Sequence, residues 1–309
     1  MVKDKIVVLG ASGFIGMHLC KKLVEENIKI LALIRNKNSI EAKELLKMNV
    51  QVLETGDLFE KKILSKDLTK VKYLINLAAL AHLSSKSFKK KFFYSNNINN
   101  IENNIIRNFS NKNLKILHIS SAKVSDKIEN NLTDYAKVKK NGESIIRKHY
   151  KKHIILRPPL VYGPNVKANF LILMKAINNN IPLPFKKLSE KRSYMYIENL
   201  IDAILLILKK DHFIGKTYEI SDNFMITNEK LVRFMADGLG KKVKLFYLNP
   251  KIINFILIII GKREVFNKIM KEFVVTNKEF ISDTGWKPPH HYNEGIKKTC
   301  LWYKRKFRI

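Results

Sequence analysis

The sequence predicts an α/β protein, a doubly wound parallel sheet with a smaller α/β lobe at its C-terminal end. Three observations carry this. Short apolar runs alternate with segments of helical period through the first half of the chain. A glycine-rich turn joins the first apolar run to the first helical segment. After Arg157 the texture changes to shorter, proline-punctuated elements. Strands joined by crossover helices make a parallel sheet covered on both faces, and such strands read as unbroken apolar runs.

Taken in order, "KIVVL" (5–9) is the first strand, and "FIGMHLCKKLVEEN" (14–27) carries apolar residues at helical spacing. "KILALI" (29–34) follows, then a polar helix near 38–47 and a strand at "VQVL" (50–53). "KYLINLAA" (72–79), "LKILHIS" (114–120) and "HIILR" (153–157) continue the strands, with helices near 88–110 and 134–150 between them. These place a dinucleotide-binding domain at 1–160. The remainder, 161–309, reads as the substrate lobe, with the helix "NLIDAILLILKK" (199–210) packing back on the first domain.

Bulk composition narrows the class. A length of 309 residues with 46% hydrophobic content buries a substantial core. Two cysteines far apart, Cys20 and Cys300, with Cys20 among apolar helix positions, argue against a disulfide framework or a zinc site. The N-terminus enters a strand directly, without a signal-peptide pattern, which points to the cytoplasm. "IINFILIII" (252–260) falls short of the roughly 20 residues that span a bilayer and reads as a buried helix. Its flanking Lys251, Lys262 and Arg263 leave peripheral contact with a membrane as the other reading. The net charge of +31 comes from lysines spread along the whole chain, without aromatic-basic interleaving, so nucleic-acid binding is not expected. A pull on phosphate-bearing substrates is the milder consequence.

"VVLGASGFIG" sets Gly10, Gly13 and Gly16 across a strand-to-helix turn, with Ser12, Phe14 and Ile15 between them. Glycine suits such a turn because backbone and pyrophosphate approach closely, and the helix N-terminus offers free N–H donors. With only 12 glycines in the chain, about 0.02 occurrences of this triple are expected by chance. The spacing differs from the usual Rossmann fingerprint. The second strand ends "LALIRNKNS", with Arg35 where an NAD site commonly has an acid; an arginine there pairs with a 2′-phosphate and favours NADP(H) over NAD(H).

A Tyr-x-x-x-Lys pattern is weak evidence in this chain. With 11 tyrosines and 49 lysines in 309 residues, chance supplies about 1.7 matches. Two occur, Tyr135/Lys139 and Tyr247/Lys251. Context separates them. Together with the glycines, the blocks "GDL" (56–58), "NLAA" (76–79), Asn97, "ISSAKV" (119–124), "YAKVK" (135–139), "RPPLVYGP" (157–164) and "GWKPP" (285–289) resemble the short-chain dehydrogenase/reductase family, in its extended nucleotide-sugar branch. The resemblance covers almost the whole chain. It implies Tyr135 as the proton-exchanging phenol, Lys139 as the cation that eases its ionisation and holds the nicotinamide ribose, and Ser121 (or Ser120) as the hydroxyl that orients the reacting oxygen. Residues four apart share a helix face, which suits a paired phenol and ammonium.

By the same resemblance Asp57 sits at the adenine with Leu58 beside it in the cofactor site, Ala78 and Ala79 line the cofactor cleft, Asn97 contacts the cofactor, and Pro158 with Pro159 lies near the nicotinamide. Asn169 and Arg192 resemble residues that hold the sugar-nucleotide diphosphate. Homodimerisation through the helices near 88–110 and 134–150 is a further implication. The segment from Ser121 to Tyr135 is shorter than in most extended members.

Dehydratases of the family carry an Asp-Glu pair directly after the catalytic hydroxyl residue, where this chain has Ala122-Lys123. Elimination of water then lacks its acid/base pair, which leaves two enzyme readings. The stretch from 157 to 204 most resembles the group of UDP-4-keto-6-deoxy-N-acetylhexosamine 4-reductases, and Arg35 agrees with an NADPH-dependent reduction. A UDP-hexose or UDP-HexNAc 4-epimerase with bound NAD is the alternative. A non-catalytic dinucleotide-binding sensor or subunit is the reading from another class, and the retained Ser-Tyr-Lys set weighs against it.

Overall fold

The computed structural model describes residues 5–56, 68, 70–78, 100–125, 133–259 and 271–309. Its elements divide between two compact units, Met1–Pro158 with Ile201–Ile220 and Lys278–Trp286, and Pro159–Leu200 with Ser221–Asn277 and Lys287–Ile309.

The first unit is built on a seven-stranded parallel sheet. Its strands are β1 (Ile6–Leu9), β2 (Ile30–Ile34), β3 (Gln51–Glu54), β4 (Tyr73–Asn76), β5 (Lys115–Ile119), β6 (His153–Arg157) and β9 (Lys216–Glu219), in spatial order β3-β2-β1-β4-β5-β6-β9. The strand order reverses between β1 and β4, where such folds open a crevice at the carboxyl ends of the strands. Every residue of β1, β2 and β4 is buried, as two covered faces require.

Helices α1 (Phe14–Glu25), α2 (Ile40–Lys47), α3 (Asn100–Asn108) and α4 (Asp134–His149) supply the crossovers among the described residues. Ser39 caps α2 by accepting from the Ala42 N–H, and Thr133 caps α4 by accepting from the Ala136 N–H. Val7, Leu9, Leu33, Leu74 and Ile116 of the sheet form one core with Ile101 and Ile105 of α3 and Ile146 of α4. Each fully buried aliphatic side chain here contributes about 1.5–3 kcal/mol. Cys20 lies in the core of this unit, where burial pushes its thiol up to about 12. Helix α6 (Ile197–Lys209) passes through Leu200, the last residue of its span assigned to the second unit. Within the first unit its Asp202 accepts from the Trp286 indole N–H at 2.9 Å.

The second unit holds a three-stranded sheet ordered β10 (Met225–Thr227), β8 (Lys191–Tyr196), β7 (Leu160–Tyr162). Around it lie α5 (Ala168–Asn178), α7 (Asn228–Leu239), α8 (Pro250–Ile259) and α10 (Tyr292–Phe307), while the short α9 (Lys278–Thr284) belongs to the first unit. Aromatic rings make much of its interior. Tyr162 stacks on Phe170 with centroids 5.1 Å apart, and Phe224 stacks on Tyr292 at 3.5 Å. The apolar run departs from expectation: its residues 252–259 lie in a helix, yet Ile252, Phe255 and Ile259 are exposed and Ile253 is buried. With Asn254 its one polar letter, the run has no polar face to mark which side meets solvent, so periodicity alone could not orient it. Among the described residues no helix is long and apolar enough to cross a membrane.

Candidate active site

The glycine turn closes the end of β1 onto α1. Gly10 takes a left-handed φ of 80°, and a Cβ there would stand 2.9 Å from the Ala78 nitrogen. Gly10 and Ala78, expected on one cofactor cleft, are thus brought together, with Leu77 N–H donating to the Leu9 carbonyl at 2.9 Å. At Gly16 a Cβ would meet the Gly10 carbonyl oxygen at 2.4 Å and the Ala11 carbonyl oxygen at 2.6 Å, so only glycine lets the helix start this close to the strand. Gly13 is exposed at the N-cap of α1 and supplies no side-chain acceptor. The first-turn N–H groups of Phe14, Ile15 and Gly16 lie beyond the reach of intrahelical bonding, which leaves them and the helix dipole for an anion. Ser12, Phe14 and Ile15 are partly buried around this turn.

That cradle fits a dinucleotide diphosphate. Gly16→Ala is expected to push α1 off β1 and weaken NAD(P)H binding at least about tenfold, read by titrating nicotinamide fluorescence.

Arg35 follows β2 directly and is exposed, and the loop behind it is ordered by Asn38 N–H donating to Asn36 Oδ1 at 2.8 Å. No carboxylate stands at positions 35–39. Asp57, Leu58, Ala79 and Asn97 lie outside the described residues.

The second group forms around the end of β5. Ser121 caps a 3-10 turn, Ala122–Val124, its Oγ accepting from the Lys123 N–H at 3.3 Å. The Ala122 N–H donates to the Pro158 carbonyl at 2.9 Å, tying this turn to the end of β6. Tyr135 and Lys139 lie one turn apart on α4, and the Lys139 Nζ donates to the Ile119 carbonyl at 2.9 Å. The Lys123 Nζ lies 5.6 Å from the Tyr135 ring centroid. Ser121, Tyr135 and Lys139 are therefore gathered at the carboxyl ends of β5 and β6. The competing pair is not: Tyr247 precedes α8, outside any helix or strand, and Lys251 lies within the helix.

A buried polar layer underlies this group. Asn76, at the end of β4, has its Nδ2 2.8 Å from His118 Nδ1 and its Oδ1 accepting from the Ala78 N–H at 3.1 Å. Burial holds the His118 imidazole well below the usual histidine range, with the charges of Lys139 and Arg147 acting the same way. Glu143, fully buried, accepts from Ser120 Oγ at 2.5 Å, Arg157 Nε at 2.9 Å, Arg157 Nη2 at 2.6 Å and Arg147 Nη1 at 3.1 Å. Sequence reading missed Asn76, His118 and Glu143. Polar letters in a chain this rich in Asn and Lys carry no mark of burial; a Glu one turn after Lys139 on the buried face of an amphipathic helix was the available signal.

In the second unit, Asn169 is exposed in the first turn of α5. Arg192 lies on β8, donates to the Lys271 carbonyl at 2.5 Å and covers the Phe273 ring at 5.5 Å. Taking up a diphosphate there means exchanging that carbonyl for phosphate oxygens. Among the described residues no cluster of His, Cys, Asp or Glu is arranged to hold a metal ion.

Comparison with known proteins agrees with this geometry. The profile of the NAD dependent epimerase/dehydratase family matches residues 6–221. A UDP-glucose 4-epimerase of Vibrio cholerae is 26% identical over 96% of this chain and 94% of its own length. An N-acetyl-alpha-D-glucosaminyl-diphospho-ditrans,octacis-undecaprenol 4-epimerase of Escherichia coli O157:H7 is 22% identical over 97% of this chain and 96% of that protein. Among solved structures, UDP-glucuronic acid 4-epimerase from Bacillus cereus in complex with NAD superimposes with a TM-score of 0.75 at 18% identity, covering 98% of this chain and all of that one.

Proposed function

The chain belongs to the NAD dependent epimerase/dehydratase family, and from that premise we propose that it reduces the 4-keto group of a UDP-4-keto-6-deoxy-N-acetylhexosamine. The observation that carries this is the gathering of Ser121, Tyr135 and Lys139 at the carboxyl ends of β5 and β6. NADPH, when bound, supplies the hydride to C4. Ser121 Oγ holds and polarises the O4 atom, and Tyr135 gives its phenolic proton to that oxygen as the carbonyl becomes an alcohol. Lys139 holds the nicotinamide ribose and keeps a positive charge beside the phenolate that results. Ala122 and Lys123, in place of a carboxylate pair, give this set no group to expel water from C5 and C6. The second unit, with Asn169 and Arg192, would hold the nucleotide diphosphate through the planar fork of the guanidinium. Helices α3 and α4 would carry a homodimer contact.

Incubating the purified protein with UDP-4-keto-6-deoxy-GlcNAc and NADPH tests the reading through loss of reduced-nicotinamide absorbance. Stoichiometric oxidation supports it. The epimerase reading is favoured by the Vibrio cholerae relative. It takes over if NADPH is not consumed, NAD co-purifies, and UDP-GlcNAc and UDP-GalNAc interconvert.

Cofactor choice has its own test at Arg35. Exchanging the guanidinium for a carboxylate removes the partner of a 2′-phosphate and installs one for a 2′-hydroxyl. Arg35→Asp is expected to shift the ratio of NADPH to NADH affinity toward NADH by on the order of tenfold or more, a charge-assisted hydrogen bond being worth about 1.5–3 kcal/mol. An unchanged ratio would take Arg35 out of the cofactor site.

A further inference from the structure

Helix α3 carries a carboxylate that the proposed chemistry does not use. Glu102 is 6% exposed, and acidic side chains are almost never buried without a partner. Its carboxyl occupies a gap on α4: a Cβ added at Gly142 would stand 2.8 Å from both the Cδ and the Oε1 of Glu102. Gly142 and Lys139 are both buried and lie three residues apart on α4, so the carboxyl sits on the helix face that carries Lys139.

The charges that meet there come from four elements. Lys139, Glu143 and Arg147 belong to α4, Glu102 to α3, His118 to β5 and Arg157 to β6. Burial pushes the Lys139 ammonium down from the ordinary lysine range, and the charges of Glu102 and Glu143 pull it back up. Burial pushes the Glu102 carboxyl up, and Lys139 pulls it down. Glu143 is committed to Arg147, Arg157 and Ser120. His118 is kept neutral by burial and is bonded to Asn76. Glu102 is the acid among these whose position answers Lys139.

We propose that Glu102 is a positioning residue for Lys139: seated in the space that Gly142 leaves, its carboxylate keeps the buried ammonium protonated toward alkaline pH and so sustains the grip on the nicotinamide ribose. This rests on the assignment of Lys139 made above. Glu102 touches neither substrate nor cofactor in this role; it acts through the lysine. A methyl group at 142 would displace it as surely as a substitution at 102.

The test is NADPH affinity against pH, from about pH 6 to 10 to bracket lysine titration, by nicotinamide fluorescence, for wild type, Glu102→Gln, Glu102→Asp, Gly142→Ala and Lys139→Met. Wild-type binding is expected to weaken at the alkaline end as Lys139 loses its proton. In Glu102→Gln, which keeps the shape and loses the charge, weakening begins at lower pH, with alkaline affinity down about three- to tenfold. The two proteins converge toward the acid end, where Lys139 holds its proton with or without the Glu102 charge. Gly142→Ala follows the glutamine variant, and Glu102→Asp follows wild type. Superimposable curves for wild type and Glu102→Gln, or curves offset by one factor at every pH, overturn the proposal and leave Glu102 as packing alone. If Lys139→Met binds as tightly as wild type at every pH, the assignment of Lys139 falls and the proposal falls with it. An alkaline limb that needs Lys139 but ignores Glu102 sinks the proposal only.

Discussion

Tyr135→Phe is expected to lower turnover by about 10²–10⁴-fold, the usual worth of a positioned proton donor, with NADPH binding little changed. The substitution removes one oxygen atom. It leaves the ring on α4 beside Lys123, the Thr133 cap on the Ala136 N–H, and the Lys139 bond to the Ile119 carbonyl. A loss of rate with intact cofactor affinity therefore isolates the proton from the scaffold. The readout is a steady-state rate with the 4-keto sugar, or sugar interconversion under the epimerase reading, beside a fluorescence titration of cofactor on the same preparation. Both enzyme readings need the phenol, so this variant separates enzymes from binders rather than reductase from epimerase. Full turnover in the phenylalanine variant would remove Tyr135 from the chemistry and leave a protein that binds a dinucleotide for another purpose.

What could be read in the sequence is what local sterics dictate. The turn from β1 to α1 tolerates only glycine at Gly16, because any Cβ meets two backbone carbonyl oxygens of residues a few positions earlier. Such a constraint is written into a ten-residue window. The placement of Tyr135 and Lys139 on one helix after a strand-end serine was legible too, while Tyr247 and Lys251 do not share a helix. Long-range placements were not. Glu102 meets Gly142 across 40 positions, and Arg192 reaches the Lys271 carbonyl across 79. Nothing local to Arg192 says that its guanidinium is bonded to backbone. Helix α8 fails for the opposite reason: Ile252, Phe255 and Ile259, spaced along one face, are exposed although every apolar letter argues for burial. Hydrophobicity states a preference, and tertiary context decides whether it is met.

The larger structural effect belongs to Glu143. Its side chain is fully buried, Arg157 is 15% exposed and Arg147 is 38% exposed. Four hydrogen bonds converge on the two carboxylate oxygens from β6, α4 and the end of β5. In Glu143→Ala the Arg157 guanidinium loses the two bonds it makes to this carboxylate, and Ser120 Oγ loses its bond to Glu143. Removing one member of a buried ion pair costs about 3–5 kcal/mol, because the remaining charge stays desolvated. Thermal melting should fall by on the order of 10 °C. The consequence reaches the chemistry by a short path. Ser120 precedes Ser121, and Arg157 precedes Pro158, whose carbonyl holds the turn that Ser121 caps. A preparation of Glu143→Ala that remains folded should therefore lose turnover more than cofactor affinity, as the serine drifts from the reacting oxygen while the glycine cradle at β1 stays in place. Pairing Glu143→Gln with Arg157→Met, which removes the charges together, should recover part of the stability that the single alanine loses. No loss of stability in Glu143→Ala would mean that water reaches the guanidinium, and the brace between β5, α4 and β6 would have to be sought in the apolar packing instead.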